Sequence, residues 1–128
     1  MGPKYKFTGK TMKYKDRILH RIKRLSDGKL GGWIESEENL SQEGNCWIDG
    51  GAYVYGDARV YDNAEIYDDA EIADNAKIYG HAKVYDDAEV YGQAEVCGDA
   101  IVRGTTKVFD SMKIDSGEYT SGEFSCKD

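Results

Sequence analysis

Two histidines, three cysteines and two acidic pairs are where this 128-residue chain could hold chemistry. His81 is the candidate general base, because proton transfer needs an imidazole positioned beside an acceptor pocket. Cys97 offers a thiol, but it has no identifiable histidine partner to activate it. Cys46, Cys97 and Cys126 are odd in number, widely spaced and without a CxxC pair, which fits reduced thiols and argues against a zinc site. The pairs Asp68-Asp69 and Asp86-Asp87 could offer oxygens to a hard cation such as Ca2+, with Asp68 and Asp86 as first ligands. A solvated acidic surface is the simpler reading of them, and neither a metal nor a cofactor is expected. No glycine-rich phosphate loop and no nucleophile elbow occurs.

What must position these residues is a repeat. Val or Ile recurs at Ile48, Val54, Val60, Ile66, Ile72, Ile78, Val84, Val90, Val96, Val102, Val108 and Ile114, twelve in succession at a spacing of six. Alanine stands two residues before nine of them, from Ala52 to Ala100, and Cys46 and Thr106 flank that run. Pairs such as Gly56-Asp57, Asp62-Asn63, Asp74-Asn75, Gly80-His81 and Gly98-Asp99 close each hexad with residues that tolerate a left-handed backbone. Inside a hexad, period two sends Ala and Val or Ile to one side and their neighbours to the other, which describes a short strand and excludes a helix. Such a strand cannot bury its apolar face alone. Coils stacked at the ~4.8 Å interstrand spacing can, and the result is a β-solenoid. Hydrophobic content of 40% on so regular a pattern excludes wholesale disorder.

The unit Ala-x-Val/Ile-x-turn-turn resembles the hexapeptide-repeat, left-handed parallel β-helix family, strongly over residues 46–115. The resemblance implies triangular coils of three hexads, and so an all-β, left-handed parallel β-helix of about four regular coils with an N-terminal β-rich cap. The chain is also similar to small phage and bacterial repeat proteins with an A-x-V-Y-G-D/N unit, preceded by a leader like Gly31-Gly32-Trp33-Ile34-Glu35-Ser36; that group carries no established activity. Three hexads per turn would stack outward side chains in ladders. Tyr53, Tyr55, Ala73, Tyr91 and Phe109 then form the richest aromatic stripe and the predicted oligomer interface, since members of the family are usually homotrimers with parallel axes. Asp68-Asp69 would lie under Asp86-Asp87, an acidic corner for a basic partner. Like charges ~4.8 Å apart in water repel by only about 0.9 kcal/mol per pair, so the corner survives without a metal. The family also contains acyltransferases with a histidine base and CoA bound along the coils, and zinc carbonic anhydrases with three histidine ligands. His81 is the only histidine in the regular repeat, no loop interrupts the coils to build an acceptor pocket, and His20 and His81 cannot supply three ligands. Regular threonine ladders of the ice-binding kind are missing.

Charge divides the chain. Residues 1–29 hold ten Lys/Arg against Asp16 and Asp27, a net +8, whereas residues 30–128 carry a net −15. Residues 1–29 are expected to form a basic cap, an antiparallel hairpin laid over the end of the rod; 30–47 an irregular first coil; 48–115 the regular helix; and 116–128 a C-terminal cap or tail. Leu40 and Ile34 fall six and twelve residues before Cys46 and are read in the small-residue register. Ile18, Leu19, Ile22 and Leu25 fit a strand or a helix face, with the strand favoured. The lysines and arginines from Lys4 to Arg24 are dense enough for a phosphate footprint, but the acidic body cancels long-range attraction, so no direct duplex binding is expected. Apolar runs are too short for a membrane span or a signal peptide, and Lys6 stands where a myristoylation motif at Met1-Gly2 needs Ser or Thr, so a cytoplasmic location is expected, the host cytoplasm if the chain is phage-encoded. The functional expectation is a non-enzymatic binding protein, a trimer in preference to a dimer. The phage resemblance makes it an antagonist of a host defence or nucleic-acid-handling system, acting on a host protein with a basic surface. The alternatives are a hexapeptide-type acyltransferase, a small-nucleotide sequestering protein and a structural decoration protein.

Overall fold

A computed structural model describes residues 3–126; Met1, Gly2 and the last two residues of the C-terminal segment lie outside them. Three longer strands, β1 (Tyr5–Tyr14), β2 (Arg17–Arg24) and β3 (Leu30–Ile34), precede the repeat. Each hexad then becomes one short strand and one corner: β4 (Trp47–Ile48), β5 (Tyr53–Val54), β6 (Arg59–Val60), β7 (Glu65–Ile66), β8 (Glu71–Ile72), β9 (Lys77–Ile78), β10 (Lys83–Val84), β11 (Glu89–Val90), β12 (Glu95–Val96), β13 (Ile101–Val102), β14 (Lys107–Asp110) and β15 (Lys113–Ile114). Two more, β16 (Glu118–Tyr119) and β17 (Glu123–Cys126), follow. Every third strand pairs in parallel, so three sheets form the walls: β4-β7-β10-β13-β16, β6-β9-β12-β15, and β5-β8-β11-β14-β17, the last extended by β3, β2 and β1. The chain is a parallel β-helix with an eighteen-residue coil, as the pairing of Lys83 with Glu65 and Ile101 shows.

The core is the repeat turned inward. The alanines from Ala52 to Ala100 and the aliphatic residues from Ile48 to Ile114 are all buried. Alanine is the buried residue next after each corner, and Val or Ile the buried residue two positions on. Outward residues donate their N–H to the carbonyl at the alanine position one coil on, as in Tyr53 N to Ala70 O and Glu71 N to Ala88 O, both 3.0 Å. The ladder continues round the corners through bonds such as Asp57 N to Asp74 O at 2.8 Å.

At eleven successive corners, from Gly50 to Asp110, the first residue has φ between 57° and 68°, and it is always Gly or Asp. At four of the five Asp corners the carboxylate accepts the backbone N–H of the corner residue one coil on: Asp62 from Gly80 at 3.1 Å, Asp68 from Asp86 at 3.3 Å, Asp74 from Gly92 and Asp86 from Gly104, each at 3.0 Å. At Asp110, below the tightened last coil, it does not.

The first coil departs from the expected register. Ile34 pairs with Val54 and Leu40 bridges to Val60, steps of twenty residues, whereas Trp47 pairs with Glu65 at eighteen. Ile34 and Leu40 therefore occupy the aliphatic position, where Val54 and Val60 follow them, and not the alanine position, whose small side chain theirs would overfill. The two extra residues are absorbed in the corner before Cys46, where Gly44 has φ 75°.

Residues 17–24 are a strand, and β1 and β2 form the antiparallel hairpin. It continues the third wall as sheet, through β2 antiparallel to β3 and β3 parallel to β5, instead of lying across the rod's end as a separate plate. Tyr5 and Ile22 close the core from below, with Phe7 packed against them. The Tyr5 hydroxyl donates to Leu40 O at 2.6 Å, and Gln42 Oε1 accepts the N–H groups of Lys4 and Tyr5 at 2.7 and 3.2 Å. Gly31 and Gly32 are there for closeness: a Cβ would lie 2.6 Å from Trp47 Cζ2 at the first and 2.6 Å from Ala52 O at the second. At the other end the coil tightens to steps of seventeen and sixteen residues, Ile101 to Glu118 and Lys107 to Glu123. Tyr119 and Phe124, edge to face at 5.0 Å, pack against the top of the core, so the segment through Cys126 winds as a last coil.

Candidate functional site

The hairpin tip bends over the outer face of the third wall. Leu19, Tyr55 and Ala73 form a second buried cluster there, with Met12, Tyr14, Trp33, Tyr53 and Tyr91 around it. The Tyr14 ring meets Tyr53 edge to face at 4.7 Å and Tyr55 at 5.8 Å. Glu71 is the anchor: its carboxylate accepts the Tyr14 hydroxyl at 3.0 and 3.1 Å, the Tyr55 hydroxyl and the Lys15 ammonium at 3.2 Å. Burial first, then the bond to Glu71, holds the Tyr14 and Tyr55 phenols above the usual range, and the bond to Glu71 does the same for the Lys15 ammonium. A carboxylate engaged by three donors from hairpin and wall is a clasp.

The predicted interface is therefore partly consumed by the chain itself. Tyr55 and Ala73 are buried and Tyr53 half-buried beneath the chain's own hairpin, which reaches them because β1 and β2 are long enough to extend over the wall. Tyr91 and Phe109, stacked at 5.2 Å, remain on the open part. Nor is an aromatic stack special to this wall: Tyr61 and Tyr79 stack at 4.9 Å on the second, and Tyr67 and Tyr85 at 4.6 Å on the first. A groove of about 350 Å³ separates the tip from the open part, but its cations are already engaged, Lys15 by Glu71 and Arg17 by Glu35 at 2.7 Å.

The acidic corner is present with a division of labour. Asp68 and Asp86 turn their carboxylates onto the backbone N–H groups of the coil above, so the four carboxylates do not converge. Asp69 and Asp87 are exposed, and their carboxylates make no hydrogen bond among the described residues. No group of three or more His, Cys, Asp or Glu among the described residues is arranged to hold a metal. Over the two coils that carry this corner, residues 61–99 hold eleven carboxylates on all three walls against Lys77 and Lys83, a net −9. The corner opens into a cleft of about 430 Å³ that shares Gly50 and Asp68 with it and is walled by Arg24, Lys29, Trp47 and Tyr67.

His81 stands exposed on a different corner, and its side chain has no hydrogen-bond partner among the described residues. Cys46 and Cys97 are buried and Cys126 exposed, none in a disulfide. Burial raises the Cys46 thiol above its ordinary range, although Lys4 Nζ lies 3.3 Å from its sulfur. Much of the basic head is spent on the body: Lys29 pairs with Asp49 at 3.0 Å, and Arg17, Arg21 and Arg24 lie over Tyr55, Trp33 and Trp47 at 5.1–5.6 Å. Sequence reasoning missed Glu71 and Trp47. Their only linear signal is that each sits on an outward position of the repeat while the complementary residues lie in the head. No protein-family model matches the chain, and no curated protein does. No helix among the described residues is long and apolar enough to cross a membrane.

Proposed function

We propose that the chain is a non-enzymatic binding protein, an antagonist of a host nucleic-acid-handling or defence system, which presents its acidic corner to a basic groove of a partner protein. The observation that carries this is the pair of exposed, unpaired carboxylates, Asp69 and Asp87, one coil apart on a backbone fixed by the ladder. A rigid acidic array suits electrostatic recognition, since its charges need no ordering on binding. Residues 30–128 carry −15 against +8 in residues 1–29, and the head's cations meet carboxylates of the third wall and Asp49, which leaves the excess of acid on the parts of the repeat that the hairpin does not cover. Three neighbouring copies joined along the open Tyr91–Phe109 stack would multiply the array.

Displacement is the test. The protein should release nucleic acid from a captured basic partner, with an affinity that falls steeply with salt and falls at least tenfold in Asp69→Lys with Asp87→Lys at unchanged Tm. Binding indifferent to both would remove the reading. Light scattering tests the assembly: Tyr91→Glu with Phe109→Asp should reduce the mass to one chain, and a wild-type monomer at tens of micromolar would remove the trimer.

A further inference from the structure

The third wall ends in two open edges, and the chain treats them differently. The lower one, β1, is guarded. The Gln42 side chain occupies it at Tyr5, accepting from the Tyr5 N–H at 3.2 Å and donating to its carbonyl at 3.3 Å; a bulge interrupts the strand between Phe7 and Thr11, and Lys6, Lys10 and Lys13 stand exposed along it. Such devices keep one sheet from adding to another. The upper edge, β17, is an uninterrupted strand whose one charge is Glu123. Its core-side residue Phe124 is half-buried, as are Met112 and Tyr119 at the top of the core.

The hydrogen bonds of β17 say what fits it. Lys107 and Ser111 in the coil below donate to the carbonyls of Gly122 and Cys126 at 2.9 and 3.3 Å, so by alternation the N–H and C=O groups of Glu123 and Ser125 face up, away from the rod. That pattern is complementary to itself. About a two-fold axis normal to the wall, Glu123 lies opposite Ser125 of a second copy and Ser125 opposite its Glu123. Four main-chain hydrogen bonds are exchanged, no like charges face each other along the strand, and Phe124 meets its own copy at the close, non-hydrogen-bonded position between them. The axis keeps core side on core side, so each chain covers the other's half-buried residues, which a strand of unrelated sequence would not do. We infer that β17 is an end-to-end joint between two copies of this chain, fusing two eight-stranded walls into one sheet. It uses the edge of the wall and is independent of the binding function and of side-by-side assembly through the outer face. One coil's end is a contact at the low end of interface sizes, so the joint belongs to millimolar chain and not to tens of micromolar.

Ser125→Pro separates the joint from the fold, because the N–H it removes faces the free edge and serves no bond within the chain. In sedimentation equilibrium the wild-type mass should double between tens of micromolar and millimolar chain, whatever the side-by-side state, while Ser125→Pro keeps its dilute mass throughout at unchanged Tm. Should that variant not fold, the wild type reports on itself: over the same range the Glu123 and Ser125 amides should gain at least tenfold protection from hydrogen exchange, and the amides of β1 should gain none. Wild-type mass that stays constant to millimolar chain leaves the edge to a strand of another protein and overturns the joint. So does a Ser125→Pro variant that still doubles, or protection that appears at β1 instead of β17.

Discussion

A single aspartate at a corner does two jobs. Asp74 accepts a left-handed backbone that most side chains resist, and its carboxylate holds the N–H of Gly92 in the next coil. The two can be separated. Asp74→Gly keeps the backbone and loses the bond, for an expected cost of about 1 kcal/mol; Asp74→Ala loses both and should cost about 2–3 kcal/mol, the ranking read by thermal or urea unfolding. Gly32 tests closeness in the same way. Its Cβ would stand 2.6 Å from a backbone oxygen that the ladder holds in place, so Gly32→Ala should cost about 1–3 kcal/mol. The restriction of the corners to Gly or Asp was visible in the sequence, and so was the left-handed corner it serves. Which aspartates are spent on the ladder was not, because it follows from the corner geometry, in which the first residue of the pair reaches the N–H of the next coil and the second does not.

Among the elements, the walls were legible and the hairpin's destination was not. A wall repeats one local rule, so twelve aliphatic residues at one spacing carry it almost unaided. The contact of Tyr14 with Tyr53 and Glu71 follows no period; it depends on the length and twist of two strands, which alternation does not encode. The same limit explains the first coil, where Ile34 and Leu40 look six-periodic with Cys46 until the pairing shows two residues absorbed between them. The clasp itself is testable. Leu19 is fully buried between hairpin and wall, and Leu19→Ala should cost about 2–4 kcal/mol. Glu71→Gln should cost less, yet it should free the tip: trypsin should cut after Lys13 or Lys15 well before the coils unfold, and equal protection of tip and coils would refute the clasp.

For the whole molecule, the tyrosines set an alkaline limit. Burial first, then Tyr85 and nearby carboxylates, pushes Tyr67 up to about 12, and Tyr5, Tyr55 and Tyr79 are raised as well. A folded pKa above the unfolded one favours the neutral phenol. That stabilisation is complete below about pH 10, where free tyrosine titrates, and is lost as pH rises through 12. Phenolate absorbance should therefore lag behind that of a denatured control and then rise together with unfolding; tyrosines titrating at the free value in folded protein would contradict it. The eighteen-residue step has a different implication, for ancestry. Removing residues 76–93 joins Asn75 to Ala94 in phase, leaves the clasp at Glu71 and both ends intact, and sets Phe109 above Ala73 on the same wall. The result should be a shorter folded rod. A gene with such a unit can gain or shed coils by unequal crossing-over without ever passing through a misfolded product, so rod length is a quantity that selection could adjust in increments of ~4.8 Å while each wall keeps its compass bearing.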